Sequence, residues 1–193
     1  VSVVERKTGK PVYSDFGEML FTHFGVSGPV ILSASSHLHG LQEGEYELRI
    51  DLKPALSEEQ LEARLLRDFE ANSNKDFRNS LGDLLPKSMI PVFLRKTGVN
   101  PYEKINQITR EERREILQTL REFTIPPSGF RPVEEAIVTS GGVQVKEVDP
   151  KTMESKLVEG LYFAGEVLDV DAYTGGFNLQ IAFSTGRLAG LSV

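Results

Sequence analysis

Apolar and polar residues alternate in the first part of the chain, a pattern typical of half-buried strands. The clearest case is residues 45–52, where the alternation has a period of two. Residues 1–7 and 11–15 flank the turn sequence TGK at residues 8–10 and predict a hairpin. We therefore predict that residues 1–56 are rich in strands.

Two capping boxes predict helix starts within residues 57–123. Ser57 is followed three residues later by Gln60, and Thr109 by Glu112. Apolar residues then recur at helical spacing, at Leu61, Leu65, Leu66 and Phe69 after the first box and at Ile116, Leu117, Leu120 and Phe123 after the second. Basic and acidic residues balance in this region, which favours a solvated face over a phosphate-binding patch.

Prolines mark two further helical stretches. Pro29 predicts the start of a short helix that runs to about Leu38 and ends at Gly40. Residues 86–96 also have a helical pattern, and Pro91 is predicted to kink or split that helix.

A cluster of Pro and Gly at residues 126–129 predicts a boundary, after which the pattern returns to strands. The predicted strands are residues 136–139, 143–148 and 161–164. We therefore divide the chain into residues 1–132 and residues 133–193.

A unit of strand, acid, loop and helix lies near the end of the chain. The predicted strand ends at Gly165 and Glu166, and Gly175 and Gly176 precede a predicted helix of about 14 residues. Two glycines let a ligand approach the backbone, and the free N–H groups of the first helical turn carry positive partial charge. The first turn holds no carboxylate. These residues point to an anion or cofactor site, with an ordinary strand–helix unit as the alternative.

Composition narrows the chemistry further. The 193 residues contain no Cys, which excludes disulfides and thiolate chemistry from this chain. His37 and His39 would lie on different faces of a helix, so we expect no metal site. A net charge of −6, from 22 basic and 28 acidic residues, disfavours nucleic acid as the main partner. Since no apolar run approaches about 20 residues, we expect a cytoplasmic protein without a membrane partner.

Several sequence runs carry a family resemblance. They are residues 139–143 (TSGGV), 152–156 (TMESK), 160–171 (GLYFAGEVLDVD) and 174–180 (TGGFNLQ), together with residues 17–29 (GEMLFTHFGVSGP). With these runs the chain resembles the aminoacetone oxidase/BaiN-like family of FAD-dependent oxidoreductases over nearly its whole length. Residues 17–29 resemble the start of the domain that is inserted in these flavoproteins.

The resemblance implies an α+β fold in two units. Residues 1–132 would be an inserted substrate-side domain, with a β-barrel-like part at 1–56 and a helical part at 57–123. Residues 133–193 would be the C-terminal segment of a glutathione-reductase-like α/β FAD-binding domain. The dinucleotide fingerprint Gly-x-Gly-x-x-Gly is not present. We therefore expect the adenine and pyrophosphate half of the FAD site to lie in a preceding segment, and this chain to be a fragment.

The resemblance also implies site residues. The cofactor-binding set is Gly165, Glu166, Asp169, Gly175, Gly176, Phe177 and Asn178. Glu166 would hydrogen-bond the ribityl chain, and the helix that starts near Gly176 would stabilise negative charge on the pyrimidine side of a reduced flavin. Tyr173 is a candidate to border the flavin ring, with a loop aromatic packed on Phe177 as the alternative.

Two residues are candidates for catalysis. His23 can face the flavin as an acid, base or substrate ligand, and the alternative is a buried, hydrogen-bonded structural histidine. Thr139 can touch the flavin or substrate, and the alternative is a strand-end cap.

The function implied by the resemblance is flavin-mediated hydride or electron transfer to or from a small organic substrate, an amine or an enone. We expect non-covalent FAD, shared with the rest of the flavoprotein chain, and NAD(P)H or oxygen as the electron partner. The fragment alone is expected to be inactive. Two alternatives remain at this point: a substrate-capping or interaction domain without activity of its own, and an RNA-modifying flavoprotein.

Overall fold

The structure is a computed structural model that describes residues 1–38 and 40–193. Its strands are β1 (Ser2–Glu5), β2 (Pro11–Ser14), β3 (Leu20–Thr22), β4 (Gly25–Ser27), β5 (Tyr46–Ile50) and β6 (Phe123–Ile125). Its helices are α1 (Pro29–Ser35), α2 (Glu58–Ala71), α3 (Ile90–Thr97), α4 (Arg110–Arg121) and α5 (Phe177–Ser192). This mixture of strands and helices confirms the α+β class. His39, considered above with His37 as a metal pair, lies outside the described residues.

Four strands form an antiparallel sheet in the order β2-β1-β5-β6. β1 and β2 make the predicted hairpin, with Ser2 opposite Ser14. In β5, Tyr46, Leu48 and Ile50 are buried and the residues between them are half-buried, as the period-two pattern predicts. In the described part of the chain, β3 and β4 pair with each other and form a separate hairpin.

The helices α2, α3 and α4 are inserted between two neighbouring strands of the sheet, β5 and β6. Both capping boxes are confirmed: Ser57 Oγ accepts the Gln60 N–H at 3.2 Å, and Thr109 Oγ1 accepts the Glu112 N–H at 3.2 Å. The sequence pattern placed Phe123 on the last helix, and this was wrong. The backbone leaves the helical region one residue earlier, so that Phe123 pairs with Ile50 in the sheet.

Two helix boundaries differ from the prediction for local reasons. Pro91 lies in the first turn of α3 and does not kink it, because a proline there removes no intrahelical hydrogen bond. α1 ends at Ser35, three residues before the predicted end at Leu38. There the Ser35 and Ser36 hydroxyls donate to carbonyls of the last turn, which competes with continued helix.

One hydrophobic core joins the sheet to the helical part. Strand residues such as Leu48 and Phe123 belong to the same buried cluster as residues of α2 and α4. The most deeply buried large side chains of this cluster are Leu61, Leu65, Phe77, Leu81, Phe93, Ile116 and Leu120. The strand-rich and helical parts predicted from the sequence therefore fold on a shared core.

The last sixty residues form few regular elements before α5. The strands predicted at residues 136–139, 143–148 and 161–164 do not form among the described residues. Only isolated bridges occur there, such as Val143 with Leu168 and Glu154 with Tyr162. A strand needs a continuous hydrogen-bonded neighbour, and these segments find none in the described chain.

Helix α5 has 16 residues, close to the predicted length, and it is apolar on most sides. Its large apolar side chains are mostly exposed, and Phe183 is 70% exposed. Its buried residue Ala189 packs in a small core with Val148, Met153 and Leu168. Within the described residues, no helix is both long and apolar enough to cross a membrane.

Arg121 ties α4 to the segment that leads from β5 to α2. Its guanidinium donates to Asp51 Oδ2 at 2.8 Å, to the Lys53 carbonyl at 3.3 Å and to the Leu56 carbonyl. We predict that Arg121→Met lowers the free energy of unfolding by about 2 kcal/mol, since the charged donor is lost and its part-buried acceptors are left without it. Urea unfolding of the chain measures this. Arg110→Met, at an exposed position on the same helix, is the control, and equal effects of the two substitutions would contradict the prediction.

Candidate functional site

Two of the predicted site residues, Thr139 and Glu166, lie in direct contact. The Thr139 N–H donates to Glu166 Oε1 at 2.8 Å, and the Thr139 hydroxyl donates to the same oxygen at 3.1 Å. Within the described residues, the other carboxylate oxygen of Glu166 has no protein donor, and the residue is exposed. Glu166 is therefore held by one oxygen and can accept hydrogen bonds from ligand hydroxyls with the other.

A close backbone contact places these two residues side by side. The Val143 N–H donates to the Val167 carbonyl, and the Asp169 N–H donates to the Val143 carbonyl, each at 2.8 Å. A Cβ on Gly142 would lie 2.4 Å from the Val167 carbonyl oxygen, so the approach requires glycine. Asp169, predicted to bind the cofactor, contributes its backbone here and is exposed.

The segment that carries Glu166 packs against α5. The Gly165 N–H donates to Thr185 Oγ1 at 3.0 Å, and a Cβ on Gly165 would lie 3.7 Å from the Ala182 Cβ. Ala182 and Thr185 lie near the middle of α5, so the segment that carries Glu166 packs against this helix one to two turns after its start.

The start of α5 has free backbone donors. Gly175 and Gly176 have φ values of 114° and 89°, which side chains other than glycine rarely adopt. Among the residues that the structure describes no side chain caps the helix, and its first turn carries no acidic residue. The first N–H groups, beginning at Phe177, are therefore available to an electron-rich group of a ligand. The Phe177 side chain is exposed.

Asn178 holds the loop that precedes the helix. Its side-chain Oδ1 accepts the Ala172 N–H, and its Nδ2 donates to the Ala172 carbonyl, both at 2.8 Å. Both ends of the amide take part in this clamp, and the backbone N–H of Asn178 is one of the first-turn donors of α5. The clamp fixes the residue next to Tyr173.

Tyr173 makes a long-range contact with the part of the chain that precedes residue 133. Its hydroxyl lies 2.9 Å from His37 Nε2. The Tyr13 ring stacks on the His37 imidazole, with 5.1 Å between the two ring centroids. Burial, followed by the nearby Asp15 carboxylate, raises the pKa of Tyr13. Sequence reasoning considered His37 only as a metal ligand, and no local pattern links residues this far apart.

His23 has Phe24 as its aromatic neighbour. It is exposed in the turn between β3 and β4, with its ring edge-on to Phe24 at 5.1 Å between centroids. The alternative of a buried structural histidine was therefore wrong for His23. The same Phe24 ring also contacts Arg131, whose guanidinium carbon lies 4.7 Å from the ring centroid.

The assembled groups suit one kind of ligand. An accepting carboxylate at Glu166 fits hydroxyl groups, and the bare helix start at Gly176 fits an electron-rich ring edge. A flavin with its ribityl chain has both features on one molecule. Among the described residues no group of three or more His, Asp or Glu side chains is placed to hold a metal ion.

Comparison with known proteins adds an independent finding. The sequence profile described as "HI0933-like protein barrel and H2TH domain" matches residues 1–138. This range covers the sheet, the helical part and the first residues after the predicted boundary.

Curated relatives match nearly the whole chain. It is 36% identical to the ribosomal RNA dihydrouridine synthase of Escherichia coli over 167 residues, which are 86% of this chain and 40% of that protein. The corresponding enzyme of Haemophilus influenzae is 33% identical over 93% of this chain and 43% of its own length. A 3-dehydro-bile acid delta(4,6)-reductase of Clostridium scindens is 31% identical over 91% of this chain and 44% of its own length. The chain thus spans about two fifths of these relatives.

The close approach at Gly142 gives a test of the site geometry. We predict that Gly142→Ala pushes residues 142–143 away from the Val167 carbonyl, because the added Cβ would clash with it. The Asp169 amide should then exchange with solvent at least about tenfold faster, or about 1.4 kcal/mol less protected. Hydrogen exchange followed by NMR measures this. Gly141→Ala is the matched control, since Gly141 also has a positive φ but its added Cβ meets nothing within 4 Å. Equal exchange in the two variants would refute the geometry.

Proposed function

Because the chain belongs to the HI0933-like family of barrel and H2TH domains, we propose that it forms part of a longer FAD-dependent reductase. In this proposal residues 1–132 are the substrate-side unit, and residues 133–193 complete the FAD-binding domain. The observation that carries it is Glu166, held by Thr139 on a segment that packs against α5, the helix with the uncapped start.

The bound flavin supplies hydride transfer. The chain's own residues bind and orient it without a covalent link. Glu166 would accept hydrogen bonds from the hydroxyls of the flavin, with its carboxylate kept in place by Thr139. The N–H groups after Gly176 would donate to an electron-rich edge of the ring and would favour negative charge there. Asn178 acts through the loop that it clamps.

The names of the relatives point to one class of reaction. A dihydrouridine synthase saturates a carbon–carbon double bond of a uracil ring, and a delta(4,6)-reductase of a 3-dehydro-bile acid saturates a double bond conjugated to a ketone. In both substrates the double bond is conjugated to a carbonyl group. We propose that this chain serves the reduction of such a double bond, with NAD(P)H as the electron donor, in preference to the oxidation of an amine.

The substrate can be a small enone or a base in RNA. The net charge of −6 disfavours a nucleic-acid backbone, whereas two relatives are named for ribosomal RNA. Both substrates present the same conjugated group, so the proposed chemistry holds for either. Reduction assays with each substrate distinguish them.

The remainder of the flavoprotein chain is the partner that we propose for the exposed apolar surface of residues 133–193. Phe183 and Leu191 on α5 and Ile137 in a predicted strand are all largely exposed. Large exposed apolar patches mark interaction surfaces. Packing against the nucleotide-binding half of the same domain would cover these residues and give the predicted strands their neighbours.

We predict that FAD binds to a version of this chain that is extended N-terminally by the nucleotide-binding segment, and that Glu166→Gln weakens this binding about tenfold. A neutral amide accepts a ribityl hydroxyl less strongly than a carboxylate does. The measurements are the visible absorption spectrum and a fluorescence titration with FAD. Glu159→Gln, at an exposed position in a turn, is the matched control.

Each outcome of this experiment bears on the proposal. A yellow extended protein whose affinity for FAD falls with Glu166→Gln and not with Glu159→Gln supports it. A colourless extended protein after addition of FAD would refute the flavoenzyme function and favour an interaction domain. Equal affinities of the two variants would remove Glu166 from the site.

A further inference from the structure

Reduction of a double bond conjugated to a carbonyl needs a proton as well as a hydride. The hydride adds to the carbon remote from the carbonyl, and the negative charge moves to the carbonyl oxygen. The carbon next to the carbonyl must then receive a proton, and a positioned acid speeds this step by about a hundredfold or more. This inference rests on the proposed function and concerns the residue that donates this proton.

Most polar groups near Glu166 and the start of α5 do not suit the task. Glu166, Asp169 and Asp171 are exposed carboxylates, which are acceptors when ionised. The hydroxyl of Thr139 already donates to Glu166. His23 lies in the turn of the β3–β4 hairpin, with Phe24 as its aromatic neighbour.

Tyr173 is an exposed phenol that lies just before the start of α5. It stands on the loop that leads into α5, between Ala172, which Asn178 clamps, and Gly175. Its side chain is 54% exposed, so a substrate can reach the ring. Its hydroxyl is a proton donor with a partner behind it, since His37 Nε2 lies 2.9 Å from the phenol oxygen.

His37 is itself held in place from the substrate-side unit. It follows α1, and its N–H donates to the Ala34 carbonyl at 3.1 Å. The Tyr13 ring stacks against it at an interplanar angle of 30°, and the Tyr13 hydroxyl donates to Asp15 Oδ2 at 3.2 Å. The imidazole therefore reaches the flavin-side loop from a fixed position.

We propose that Tyr173 is the proton donor of the reduction and that His37 returns a proton to it. The O–H bond of Tyr173 breaks as a C–H bond forms at the substrate carbon next to the carbonyl. The two electrons and the other hydrogen come as hydride from the reduced flavin, which NAD(P)H has reduced. His37 Nε2 then gives its proton to the phenolate oxygen while its Nδ1 takes one from water. This assigns the Nε2–H tautomer to His37, with the phenol oxygen as acceptor.

The test uses the full-length, FAD-loaded protein with NADPH. Three acceptors are compared: a 3-keto-Δ4,6 steroid, a uridine-containing RNA and a dye. The dye takes electrons from the reduced flavin, and its reduction requires no protonation of a carbon atom. Tyr173→Phe should lower kcat for double-bond reduction by about a hundredfold or more, with KM and dye reduction unchanged. His37→Gln should lower kcat less, because water can slowly return the proton. Tyr102→Phe changes a tyrosine exposed on the helical part and serves as the control.

The outcomes separate this inference from the function on which it rests. If Tyr173→Phe reduces the double bond as fast as the natural protein, Tyr173 is not the donor. If the variant loses dye reduction as well, the residue serves the flavin site or the fold, and the inference is also overturned. If the natural protein does not reduce even the dye, the proposed function itself fails. Loss of double-bond reduction with full dye reduction supports the proton-donor role.

Discussion

The pairing of backbone N–H and C=O groups between strands determines which segments of this chain form a sheet and which remain exposed. In residues 1–125 each strand of the main sheet has a neighbour, and β6 closes the sheet beside β5 after the helices have been inserted. In residues 133–193 the apolar segments meet only isolated bridges. Since an apolar segment without a paired neighbour cannot bury its backbone at low cost, most residues of these segments stay at or near the surface. The exposure of α5 follows, because a helix of this kind needs a sheet to cover its apolar side.

Residues 1–125 and residues 133–193 therefore differ in the size of their hydrophobic cores. The first holds a large continuous cluster that includes Phe77, Phe93 and Leu120, whereas the second holds four buried residues. Burial of apolar surface is the main favourable term in folding, so the first part has most of the stability. The candidate site lies in the part with the smaller core. Its geometry relies on short polar contacts, such as those of Glu166 with Thr139 and of Asn178 with Ala172.

Features that a few neighbouring residues determine could be predicted from the sequence. The capping boxes at Ser57 and Thr109, the alternation in β5 and the two glycines before α5 are all of this kind. The strands after residue 132 were predicted wrongly, because strand formation depends on a distant partner that a local pattern does not reveal. The resemblance implied a role for Glu166, but its bond to Thr139 came from the fold. The contact between His37 and Tyr173 joins residues 136 positions apart and has no local pattern at all.

The His37–Tyr173 hydrogen bond is too weak to hold residues 1–132 and residues 133–193 together by itself. It is the long-range side-chain hydrogen bond between them among the described residues, and a neutral bond of this kind contributes about 1 kcal/mol. Ordering two side chains costs a comparable amount, so this bond cannot by itself fix residues 1–132 relative to the loop that carries Tyr173. A fixed arrangement of the two parts requires a larger contact. The role of the bond is narrower, because it orients the Tyr173 phenol relative to His37.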